Sequence, residues 1–156
     1  MDADRLNKWV TLGANIGVLV GIILLIFEID QNRQAIRAQT RNDIAQGAIG
    51  VISLSIENPY LADILVRSNR GEELSESERY ILHSRSEAIF RYWENVHYQY
   101  RLGTYDEGEF SRHMVTMKVI ASNTASLRLY WCESAGIFSE EYEEAANEIF
   151  GREFCH

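Results

Sequence analysis

Proline is nearly absent from this 156-residue chain; Pro59 is the only one. That excludes collagen-like and proline-rich linker classes and leaves helices free to run long. Cysteine is scarce as well. Cys132 and Cys155 form no CxxC pair, and two are too few for the disulfide framework of a small secreted domain. They are expected as unpaired thiols in a reducing compartment. Positive charge is the minority sign, with 15 Lys and Arg against 23 Asp and Glu and a net charge of −8. Phosphate backbones repel such a chain, so no nucleic-acid partner is expected. No GxSxG elbow, Walker A loop or dinucleotide glycine loop is present, which removes the commonest hydrolase and nucleotide-binding signatures. The only cysteine with an adjacent histidine is in the terminal pair Cys155-His156, an incidental arrangement rather than a nucleophile with its base. Alternation suited to a strand occurs at Ile52, Leu54 and Ile56, but nothing else in the chain could pair with it. The class expected is all-α.

What is present is a hydrophobic fraction of 46% with 24% charged residues, which excludes disorder. The length suits one domain plus an appendage. That appendage is one uninterrupted run, WVTLGANIGVLVGIILLIFEI, at residues 9–29. At the helical rise it spans about 31 Å, the thickness of a bilayer core. Residues 12–27 carry no charge, and no small-x-small cleavage site follows the run, so the reading is an uncleaved transmembrane anchor. Trp9 sits where an interfacial aromatic belongs. Arg33, Arg37 and Arg41 follow the span and read as a face near anionic headgroups. They slightly outnumber Arg5 and Lys8 on the other side. That margin and the expected free thiols place the C-terminal part in the cytoplasm.

Gly13, Gly17 and Gly21 form a tandem GxxxG, a groove on one helix face along which two backbones can approach closely in lipid. Asn15 lies about 160° around the helix from Gly17, and an amide in hydrocarbon needs a partner: a neighbouring protomer, a pore or the near interface. Beyond the span the helix is expected to continue as an amphipathic stem over residues 30–57. Ala45, Ala48, Ile49, Ile52 and Ile56 mark its apolar stripe. Residues 58–156 are expected to form a compact helical bundle, separate from the span at 1–29. Asn58-Pro59 caps and starts a short helix. Ser75 and Glu78 make a capping box that opens a long aromatic-rich helix stopped by Gly103, with Leu82, Ile89, Trp93, Val96 and Tyr100 inward. A second box, Thr104 and Glu107, is expected to open a helix burying Phe110, Met114, Met117 and Ile120 or Ala121. A short helix follows from about Ala125 to Ala135, with Leu127, Leu129, Tyr130 and Trp131. The last, capped by Ser139, carries Tyr142, Ala145, Ala146, Ile149 and Phe150.

The best ligand-type spacing is Glu94-x-x-His97, which sets a carboxylate and an imidazole on one helix face, as in carboxylate-bridged di-iron bundles. Such a site needs a second ExxH and two further glutamates. Glu87, Glu109 and His113 are the only nearby helpers. The pair is therefore read as structural, and no metal, cofactor or catalytic residue is expected.

The order of motifs resembles a large group of bacterial proteins with one N-terminal span and a helical soluble domain. The residues concerned are QNRQ at 31–34, NPYLA at 58–62, LSESE at 74–78, FRYWENVHYQYRLG at 90–103 and FSEEY at 138–142. Where that group often carries a tryptophan pair, this chain has Tyr130-Trp131. The resemblance implies the architecture and a bacterial inner membrane, and brings no activity with it. The function expected is a membrane-anchored structural or interaction module that self-associates through Gly13, Gly17, Gly21, Asn15, Ala45, Ile49, Ile52 and Ile56. Its partners are lipid, further copies of itself and a larger membrane complex. The alternatives are a homo-oligomeric channel or transport protein with Asn15 in the pore and, more distantly, a metal-dependent redox enzyme.

Overall fold

The computed structural model describes residues 3–134, 136–151 and 154–155. These fold into six helices, and no strand occurs among them: α1 (Ala3–Ile56), α2 (Pro59–Asn69), α3 (Glu76–Arg101), α4 (Glu107–Ser122), α5 (Ala125–Glu133) and α6 (Glu140–Phe150). The all-α class and the order of a long apolar N-terminal helix followed by a helical domain are as expected. The α5 end expected at Ala135, and the terminal His156, lie outside the described residues. Two compact units divide between Gln39 and Thr40, so the second half of the expected stem belongs to the helical domain.

The first unit is the leading part of α1. With no proline and one initial acid, Asp4, at the positive end of the helix dipole, nothing interrupts it. All of its described residues are exposed except the half-covered Gly21. An 18-residue stretch reaches a mean hydropathy of 2.5 with none of it buried. It is a helix long and apolar enough to cross a membrane.

The second unit packs the last turns of α1 with α2–α6. Asn58 accepts from the Leu61 amide at 3.3 Å and caps α2, with Pro59 in the first turn. The capping box of α3 forms as read: the Ser75 hydroxyl accepts from the Glu78 amide, and Glu78 accepts from the Ser75 amide at 2.8 Å. Gly103 ends the helical turn with φ +70°, a conformation that glycine adopts without penalty. The expected Thr104–Glu107 box does not form. Asp106 is the cap, accepting from the Glu109 amide at 3.0 Å, while the Thr104 hydroxyl turns back to the Gln99 carbonyl. An aspartate two residues later starts the helix there and satisfies a first-turn orphan amide with a charged acceptor.

Aromatic rings build the core. Phe90 is fully buried, with ring centroids of Trp93 at 5.2 Å, Trp131 at 5.1 Å and Tyr130 at 5.7 Å. Ile89, Met114, Met117, Ala121, Leu127, Phe138, Tyr142, Ala146 and Phe150 complete it. A smaller cluster, Leu61, Ile64 and Leu82, holds α2 on α3. The inward faces read from sequence recur with one exception, the exposed Leu129, and of the alternatives Ile120 and Ala121 it is Ala121 that is buried. The end of α1 docks by the face carrying Thr40, Ile44, Gly47 and Val51. The Tyr92 hydroxyl donates to the Ile44 carbonyl at 3.2 Å, and its ring lies where a Gly47 Cβ would stand, 2.9 Å away.

The expectation of free thiols is overturned. Cys132 and Cys155 form a disulfide, with Cα atoms 5.6 Å apart, and no free cysteine remains. The two lie 23 residues apart, so spacing alone carried no pairing signal. The tail brings them together: Phe154 stacks on Phe150 with centroids 4.2 Å apart, which delivers Cys155 to α5. One of the two supports for a cytoplasmic domain falls with it.

Candidate functional site

The sequence singled out Glu94 and His97, and α3 places both on the side facing α6. Glu94 is occupied structurally. Its Oε1 accepts from the Ser139 amide at 2.7 Å, and its Oε2 accepts from Arg91 Nη1 at 2.9 Å. Ser139 holds the N-cap position of α6 but makes no side-chain cap bond. Glu94, reaching across from α3, is the carboxylate at that helix N-terminus. Partial burial pushes its carboxyl up, but the Ser139 amide and Arg91 outweigh this and leave it below the usual range. His97 is buried between the rings of Tyr142 (5.8 Å) and Phe110 (5.9 Å). Burial first, and then the Arg101 charge, hold its pKa below the ordinary histidine value. Arg101 is itself paired with Glu141 at 2.6 Å. Among the described residues no three metal-ligand side chains converge.

The residues expected at an oligomer interface lie uncovered apart from the half-covered Gly21. A Cβ added at Gly13, Gly17 or Gly21 would meet nothing within 4 Å, and Asn15 is exposed. In the helical domain the apolar stripe of α1 divides in two. Ala48 is half-covered beside the docked face, whereas Ala45, Ile49, Ile52 and Ile56 stay exposed, Ile56 at 73%. These four recur at spacings of four, three and four residues, the period of a helix-to-helix seam. Trp9, Arg33 and Arg37 are exposed, while Arg41 pairs with Glu109 at 2.9 Å.

Sequence reasoning missed two features entirely and the setting of a third, His113, which it named only as a helper to Glu94 and His97. One is an open groove of about 1010 Å³, walled by Leu74, Leu82, His83, Arg128, Leu129 and the disulfide. Ser126 also lines it, and the buried Ser126 Oγ has no hydrogen-bond partner among the described residues. The second is Arg85, whose Nε donates to Ser55 Oγ at 3.3 Å while its buried Nη1 finds no acceptor; burial lowers its pKa. The third is His113, edge-on to Tyr92 at 5.5 Å with Nε2 buried and unpartnered. Burial lowers its pKa too. No spacing motif announces any of them, because each arises from contacts between distant helices. Comparison with protein-family models, curated proteins and solved structures gives no match.

Proposed function

We propose that this chain is a single-pass membrane protein whose working form is a homo-oligomer, acting as a structural or interaction module without catalysis. The observation that carries this reading is the pair of apolar surfaces that the chain leaves uncovered. The glycine face at Gly13, Gly17 and Gly21 has no neighbour, and Ala45, Ile49, Ile52 and Ile56 form a seam with no partner inside the helical domain. Lipid satisfies apolar side chains but cannot fill a glycine groove as a second helix does. Water does not favour an isoleucine seam. The occupation of Glu94 by the start of α6, and of His97 by aromatic neighbours, supports structural roles for both. The resemblance noted above supports a bacterial inner membrane.

Cross-linking tests this reading. Gly17→Cys and Ile52→Cys are each placed in a chain carrying Cys132→Ser and Cys155→Ser, and membranes are oxidised. Covalent dimers at both positions are expected, and monomer alone overturns the oligomer. The channel reading, in which Asn15 faces a pore, predicts ion conductance in protein-loaded liposomes that Asn15→Leu abolishes. The module reading predicts none.

A further inference from the structure

We infer that the helical domain stands on the oxidising side of the membrane, opposite to the side that the flanking charges favoured. This rests on the proposal that α1 crosses the bilayer. The chain has two cysteines and the structure joins them. Their approach is built by the fold and not by the bond alone. Phe154 stacks on Phe150 and packs against the main core, so the tail is docked one residue before Cys155. The resulting Cα separation of 5.6 Å lies within bridging range. Such a pair persists as a disulfide in an oxidising compartment, and is held reduced in a cytosol buffered by glutathione and thioredoxin.

The flanking charges weigh little in favour of the opposite orientation. After the span come Arg33, Arg37 and Arg41. Arg41 belongs to the helical domain, where it pairs with Glu109. Before the span stand Arg5 and Lys8, so the two flanks differ by a single arginine, a margin on which the positive-inside rule acts only weakly. The disulfide is then the deciding feature. Its formation is an exchange with a disulfide-bearing thiol oxidoreductase of that compartment. The two thiols lose two protons and two electrons and become one Sγ–Sγ bond, and the oxidant's disulfide becomes a dithiol. The groove walled by Leu82, Leu129 and this bond therefore opens to that compartment. Any partner it meets there is itself an exported or surface molecule.

The test uses the full-length chain with a C-terminal epitope in a Gram-negative host. Cells are quenched in acid before lysis and treated with a thiol-reactive polyethylene glycol, with and without prior reduction. Protease is added to intact spheroplasts, and membranes are extracted with alkaline carbonate. The expected result is protein in the membrane pellet, no mass shift until reduction and two increments after it, and loss of the epitope to external protease. Protein in the pellet with two increments before reduction, and an epitope protected until lysis, overturns the orientation while leaving the span intact. Full-length protein released by carbonate overturns the span, and the orientation with it.

Discussion

The α1 helix before Gln39 and the domain after Thr40 use hydrophobic side chains in opposite ways. Ile23 and Phe27 keep 52% and 62% of their surface exposed, and every large apolar residue from Leu12 to Ile29 is similarly bare. Phe90 exposes none, and Trp93, Tyr130, Trp131 and Phe138 close around it. The second region closes an aromatic core within one chain and leaves only its surface stripe at Ile49, Ile52 and Ile56 and scattered apolar side chains bare; in the first, burial is left to whatever surrounds the helix. The difference assigns two kinds of work. Aromatic packing defines a self-sufficient fold, whereas the aliphatic helix and its glycines present a surface to an environment.

The sharpest way to break the comparison is truncation of one side chain in each region. Phe90→Ala should cost the domain about 3–5 kcal/mol in urea unfolding measured in detergent. Leu24→Ala should leave that midpoint unchanged, since no packed core surrounds it. Equal losses at the two positions would erase the distinction.

Glycines give a smaller contrast. Gly47 faces the Tyr92 ring at 2.9 Å, whereas Gly50, one turn on, has nothing within 4 Å. Gly47→Val should destabilise by about 1–3 kcal/mol through overpacking and displacement of the Tyr92–Ile44 hydrogen bond. Gly50→Ala should stabilise by up to about 1 kcal/mol through helix propensity. Next comes Glu94→Gln, which weakens the carboxylate at the start of α6. A loss of about 1 kcal/mol is expected, with the domain still folded.

The pH dependence is the most graded effect. His97 and His113 have folded pKa values below the ordinary 6.5, so the unfolded chain binds more protons as pH falls through 6.5. Stability is therefore fully present above that pH and declines below it. Glu78 adds a second decline. The Ser75 amide and Arg67 hold its carboxyl near 2 against an ordinary 4.5, so its contribution is lost as pH falls from 4.5 toward 2. Urea midpoints at pH 8, 6, 5 and 3.5 should fall in that order, and a midpoint rising between pH 8 and 5 would contradict the assignment.

Local signals carried far in this chain. The Asn58-Pro59 start, the Ser75–Glu78 box and the Gly103 stop were legible because capping depends on residues a few positions apart. The inward positions of α3 followed from 3.6-residue periodicity. Periodicity failed on α1, where apolar residues surround much of the helix. It identified one stripe, and only the folded domain shows that Ile44 and Val51 are covered while Ile49 and Ile52 are not. The role of Glu94 was hidden because its partner, Ser139, is 45 residues away. The disulfide was hidden for the same reason: Cys155 reaches Cys132 through the docking of Phe154, which no short-range pattern encodes.

The central claim is that the uncovered faces of α1 are met by further copies of the chain. The mass of the detergent-solubilised particle, corrected for bound detergent by light scattering, tests it most directly. The account predicts two or more copies of the 18.0 kDa chain, reduced toward one chain by Gly17→Ile combined with Ile52→Glu. A wild-type particle of one chain would contradict it.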